Sequence, residues 1–251
     1  MIPDLKAFLD EKAEQYNHPN FISTDPIQIP HRFTRKEDIE ISGFLTATIA
    51  WGNRKSIITS AERLMALMGE SPYDFVMGYE EKHLEQWNSF VHRTFNGTDA
   101  KTFIRGLKYI YTDHGGMEAA FSRQAMDLQK SISSFKSSFF EVEHAPRTEK
   151  HISDPLKGSA AKRINMFLRW MVRNDQRGVD FGLWNSISQK HLSCPLDVHS
   201  GTIARKLGLL HRKQNDAKAV QELDTSLRKL DPVDPVKYDF ALFGLGVFEK
   251  F

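Results

Sequence analysis

Apolar residues recur at helical spacing along almost the whole chain. Leu5, Phe8, Leu9 and Ala13 mark an amphipathic helix over Ile2 to Tyr16. Asn17 to Phe33 carries Pro19, Pro26 and Pro30 and reads as an irregular connector. Lys36 to Trp51 follows, with Ile39, Ile41, Phe44, Leu45, Ala47, Ile49 and Ala50. It is uncharged from Ile41 onward, which predicts a buried core helix ending at Gly52. Lys55 to Met68 is amphipathic and stops at Gly69 and Ser71-Pro72. Ser71 to Gln86 reads as broken helical turns around Gly78, and Ser89 to Gly97 as a loop. Ala100 to Thr112 and Met117 to Leu128 are predicted helices, parted by His114-Gly115-Gly116. Ser131 to Pro155, rich in Ser, Glu, Lys and His, is expected to be a helix tail and an exposed linker.

Strand-like alternation is nearly absent, so the expected fold is all-α, with about ten helices joined by short loops. Residues 1–131 would form a helical scaffold and 132–155 a linker. Residues 156–251 would carry a hairpin, further helices and a C-terminal helix packing back on the first half, an arrangement that also admits one continuous domain. No internal repeat is present.

Composition narrows the class. Across 251 residues, 40% are hydrophobic and 26% charged, ordinary values for a globular protein. The single cysteine, Cys194, excludes an internal disulfide framework and a four-cysteine zinc or iron–sulfur site. Met1 to Lys6 lacks the basic and apolar regions of a signal peptide. The longest apolar run, Phe240 to Phe248, is too short to span a bilayer. A cytoplasmic protein without a membrane partner is expected. The net charge of +2 is unevenly spread: Lys157 to Lys213 holds eleven Lys/Arg against three Asp, leaving −6 elsewhere. Positive charge gathered in one segment suggests a polyanionic partner.

That segment also carries the candidate chemistry. Leu156-Lys157-Gly158-Ser159-Ala160-Ala161 is a short turn leading into a helix from Lys162. Ile164, Phe167, Leu168 and Met171 form its apolar stripe. At about 100° per residue, Lys162, Arg169 and Arg173 cluster on the opposite face, predicted to point outward. The turn offers backbone N–H groups at a helix start, which can hold a phosphate. Further on, Pro195-Leu196-Asp197-Val198-His199 opens another helix, with Asp197 placed as its N-cap. A carboxylate there could also stabilise positive charge developing on a substrate.

Leu156 to Lys162 resembles the Leu-Pro-Gly-Val-Gly-x-Lys hairpin of the helix-hairpin-helix DNA glycosylases, with Ala160 in the place of the second glycine. Pro195 to His199 resembles the Pro-Val-Asp-Val-His segment of their 8-oxoguanine-removing branch. The chain is similar to an uncharacterised bacterial family distantly related to archaeal 8-oxoguanine glycosylases. That likeness extends to Asp25-Pro26-Ile27, Asp38 to Ile41, and Asp234 to Gly244.

The resemblance implies Lys162 as nucleophile and Asp197 as its assistant. It also implies a DNA phosphate held at Lys157, Gly158 and Ala160, with a monovalent cation at the hairpin. Arg163, Arg169 and Arg173 join the expected DNA contacts. The Lys-to-Asp separation is longer than usual, and the insert, Val172 to Ser193, is expected to add a helix. Tyr238, Leu242 and Leu245 fall at helical spacing, and so do Asp239 and Phe243. In the 8-oxoguanine branch that spacing brings a polar residue and a phenylalanine against the extruded base. Trp51 and Trp184 are candidates for the opposite wall.

His191, Cys194 and His199 lie close together but match no common zinc pattern, so no metal is expected. The expected activity is a bifunctional DNA glycosylase/AP lyase working through a lysine Schiff base on oxidised purine, 8-oxoguanine favoured. Its expected partner is double-stranded DNA bearing a damaged base, bound by a monomer. The alternative is a non-catalytic helix-hairpin-helix module binding DNA or RNA.

Overall fold

Short side-chain caps start most of the helices. In the computed structural model, which describes residues 4–251, Asp4 accepts from the Ala7 N–H and opens α1 (Leu5–Tyr16). The expected helix start at Ile2, and Met1 to Pro3 of the segment read for a signal peptide, lie outside the described residues. The prolines at 19, 26 and 30 each open a short 3-10 turn, where their missing N–H costs nothing. Ten further α-helices follow: α2 (Lys36–Thr48), α3 (Arg54–Leu67), α4 (Pro72–Gly78), α5 (Gly97–Asp113), α6 (Met117–Ser122), α7 (Leu128–Phe139), α8 (Lys162–Val172), α9 (Val198–Lys206), α10 (Ala217–Leu230) and α11 (Tyr238–Gly244). Asn53, Asn96, Asp127, Asp197 and Asp216 cap α3, α5, α7, α9 and α10. Among the described residues the fold is all-α, apart from a two-stranded antiparallel ribbon, β1 (Val91–His92) and β2 (Phe95–Asn96), in the stretch expected to be a loop, and an isolated bridge at Ser159.

Helix α2 is the central rod: every residue from Ile39 to Thr48 is buried. Phe44 touches the rings of Phe103, Phe135, Phe139 and Phe167 at centroid distances of 5.5–5.7 Å. Gly43 lets α8 lie close, since a Cβ there would stand 3.3 Å from Met171 Cε. A second apolar cluster joins α1, α9, α10 and α11 through Leu9, Ile203, Leu223, Leu227 and Leu242. There the Tyr16 ring packs on Gly244, whose Cβ would lie 2.0 Å away. The first helix therefore belongs with the last three, while α8 packs on α2 in the larger cluster.

Residues 132–155 do not form an exposed linker. Helix α7 runs to Phe139 with Ile132, Phe135 and Phe139 in the core, and Thr148 and His151 are buried beyond it. The cause is electrostatic as well as apolar. Asp99, fully buried, accepts from Thr148 Oγ1 at 2.7 Å and Arg147 Nη1 at 2.8 Å, tying this segment to α5. The insert adds no α-helix, only a 3-10 turn at Gln189–His191. Among the described residues, no helix is long and apolar enough to cross a membrane.

Candidate functional site

A cavity of about 740 Å³ opens where the two clusters meet. Its walls come from the Phe21–Pro26 connector, the α2–α3 turn, the start of α8, the start of α9 and the length of α11. Lys162 and Asp197 face each other across it, Nζ to Oδ2 3.4 Å, with their side chains 33% and 20% exposed. Two side chains thirty-five residues apart in sequence thus meet inside one concavity. Asp197 still caps α9. Its Oδ1 accepts from Ser200 N–H at 2.9 Å, and Ser200 Oγ accepts from the Asp197 N–H at 2.9 Å. Capping fixes the carboxyl by one oxygen and leaves Oδ2 for the amine.

The hairpin before Lys162 is pinned to the start of α10. Gly158 O accepts from Ala217 N–H at 3.1 Å, and Ser159 pairs with Asp216. Gly158 holds φ near 90°, the left-handed conformation that glycine adopts without strain. Ala161, φ 46°, is left-handed too, and its Cβ costs roughly 1–2 kcal/mol there. This strained residue is the N-cap of α8, and no side chain caps the helix.

Of the hairpin amides expected to hold a phosphate, those of Lys157 and Gly158 need correction. Lys157 N–H and Ser159 N–H both bond to Asp154 O, and Gly158 N–H bonds to Pro155 O at 2.9 Å. These donors turn inward because the 3-10 turn at Pro155–Lys157 closes tightly on them. The Lys157 side chain remains exposed, and Ala160 is half-buried on the cavity wall.

The outward basic row is also corrected. Arg169 and Arg173 are 4% and 1% exposed. The face opposite the apolar stripe is covered by the insert and by α11, which bring carboxylates to it. Arg169 Nε meets Asp180 Oδ1 at 3.1 Å, and its Nη1 donates to Asp239. Arg173 meets Asp180 Oδ2 at 3.1 Å, Asp234 at 2.8 Å and Asp175 at 2.8 Å. Burial works against the Arg173 charge, and Asp180 and Asp234 overcome it, holding the guanidinium above its ordinary value. Neither arginine is available to DNA, and the positive excess of the segment is partly cancelled from within the fold.

Arg163 is drawn in as well. Its Nη1 donates to the Thr48 carbonyl at the end of α2, and its guanidinium lies 4.6 Å from the Trp51 ring centroid. Burial lowers its pKa to about 10, and no carboxylate pairs with it among the described residues. It lines the cavity rather than an outer surface.

The expected base-pocket residues divide. Phe243 and Trp51 line the cavity, but Arg163 already covers a face of Trp51. Asp239 also lines it, yet both its oxygens are engaged, one by Arg169 and one by Cys194 Sγ at 3.7 Å. Burial pushes the Asp239 carboxyl up to about 6 despite Arg169. Trp184 is elsewhere: 1% exposed, it packs in the core and donates to Glu40 Oε1 at 2.6 Å, so it is no pocket wall.

Two cavity residues were not singled out by sequence. Asp25 is 9% exposed on the connector wall, and Arg54 opens α3 on the same cavity. Asp25 drew notice only as part of the Asp25-Pro26-Ile27 likeness, because nothing local distinguishes a carboxylate in a proline-rich connector.

The profile of a protein family of unknown function, DUF2400, matches residues 25–248. No curated protein and no solved structure matches the chain.

Proposed function

The chain belongs to that family, DUF2400, and we propose that it is a DNA glycosylase with AP-lyase activity acting on an oxidised purine, 8-oxoguanine favoured. The observation that carries this reading is the 3.4 Å approach of Lys162 Nζ to Asp197 Oδ2 inside a cavity large enough for an extruded nucleoside. An amine and a carboxylate held together in a concave, half-buried site fit covalent chemistry at a sugar carbon.

In this mechanism Lys162 passes a proton by way of Asp197 toward the departing base, and the freed amine attacks C1′ of the extruded nucleotide. The glycosidic bond breaks, its electron pair leaves with the base, and the base takes up a proton. Asp197 stabilises the positive charge that builds on the sugar and passes protons. The ring opens to an imine on Lys162. Loss of a C2′ proton then expels the 3′ phosphate and nicks the strand. Phe243 offers a ring for the base to stack on. The exposed Lys157 and the uncapped start of α8 are the groups suited to the DNA backbone.

The test is a nicking and base-release assay on duplexes bearing a panel of lesions. Release from the 8-oxoguanine duplex is expected, falling roughly 100- to 10,000-fold in Asp197→Asn. Binding to every lesion duplex with no release and no nick would replace the enzyme reading with that of a binding module.

A further inference from the structure

Two groups on the cavity wall take no part in the chemistry given to Lys162 and Asp197. Asp25 Oδ1 accepts from Ile27 N–H at 3.0 Å, while Oδ2 has no hydrogen-bond partner among the described residues. Arg54 makes no ion pair with any described carboxylate, although it lines the same cavity as Asp25. Its guanidinium carbon lies 5.4 Å from the Phe243 centroid. Burial raises the Asp25 carboxyl above its ordinary value, against Arg54, Arg169 and Lys162. An acceptor and a donor on one cavity wall, neither hydrogen-bonded to the other or to a described neighbour at these atoms, are free to meet a ligand there.

We propose that Asp25 and Arg54 read the oxidised edge of the base, an N–H beside a carbonyl oxygen, while the base stacks on Phe243. Asp25 Oδ2 accepts from the N–H and Arg54 donates to the oxygen. Guanine carries a bare ring nitrogen beside a C–H at its five-membered ring, and oxidation at C8 converts these into N–H and C=O. An acceptor paired with a donor therefore fits the oxidised base, whereas the bare nitrogen of the normal one gives Asp25 Oδ2 no N–H to accept. This assignment rests on the glycosylase reading and adds the residues that choose the base. It also places the acceptor role on Asp25, because the oxygens of Asp239 are occupied.

The test uses binding, so that it does not depend on turnover. Lys162→Gln protein is titrated with duplexes carrying 8-oxoguanine or 8-methoxyguanine, which has similar bulk but no N–H at that edge. Both affinities are referenced to an abasic-analogue duplex. The expected preference for 8-oxoguanine is roughly 10- to 100-fold. Adding Asp25→Asn or Arg54→Gln should reduce it to less than threefold. A missing preference, or one that survives both substitutions, overturns the assignment. Arg54 stands at the first position of α3, so Arg54→Gln remains informative should Asp25→Asn fail to fold. Wild-type nicking separates the two claims. Preference without nicking removes the enzyme and keeps the subsite, and nicking without preference does the reverse.

Discussion

Asp180→Asn should unfold the protein more easily than almost any other single-atom change. The Asp180 side chain is fully buried between two guanidiniums, with Oδ1 3.1 Å from Arg169 Nε and Oδ2 3.1 Å from Arg173 Nη1. The amide keeps one acceptor, turns an N–H₂ against the other guanidinium and removes the charge both arginines face. Breaking a buried ion pair costs about 3–5 kcal/mol. The lower end applies, because Arg169 retains Asp239 and Arg173 retains Asp234 and Asp175. Against a total stability of about 5–15 kcal/mol, such a loss is large. With a urea slope near 3 kcal/mol per molar, the midpoint should fall by roughly 1 M. Equilibrium urea unfolding at pH 7 measures this directly. A midpoint shift below about 0.3 M with the slope unchanged would mean that water reaches the network, and the account of the buried arginines would be wrong.

Three further outcomes follow from the same geometry. Burial lifts the Asp224 carboxyl to about 6, against hydrogen bonds from Cys194 N–H and Ser193. The folded state then holds that proton more tightly than the unfolded chain, so stability from this group falls as pH rises from about 4 to about 6. Asp224→Asn keeps an acceptor for the Cys194 N–H, 2.9 Å away. It should gain up to about 3 kcal/mol over wild type at pH 7 and nothing near pH 4; a gain independent of pH would refute this. Phe243→Ala should slow release of the damaged base roughly 5- to 150-fold more than nicking at a preformed abasic site, which needs no stacking. Equal losses in the two assays would assign Phe243 to packing alone. Lys157→Gln should weaken duplex binding regardless of sequence and reduce the slope of log affinity against log salt by about one. An unchanged slope would take the hairpin off the DNA.

The all-α class was legible because the apolar stripes are long and the caps are local. Asp197 combines both kinds of signal, a cap that sequence can name and a partner that only the fold supplies. What sequence could not show is what covers a helix face. The helical spacing correctly puts Arg169 and Arg173 opposite Ile164 and Phe167, but their carboxylates come from the insert and from residues 234 and 239. A polar face therefore became an internal one. The same applies to Trp184, held by Glu40 from the other half of the chain. In 131–155 the polar composition masked a usable signal, since Ile132, Phe135 and Phe139 fall at helical spacing. The hairpin at Val91–Asn96 has strands of two residues, too short for alternation to show.

Borohydride trapping tests the central claim most directly. An imine between Lys162 and the sugar is reduced to a stable amine, so protein incubated with an 8-oxoguanine duplex should become covalently joined to DNA. Peptide mapping should place the link on Lys162. Lys162→Gln should still bind the duplex and give no cross-link, while Asp197→Asn should trap slowly. Wild-type protein that binds the lesion duplex but neither traps nor releases the base would contradict the account, and so would a cross-link that survives Lys162→Gln.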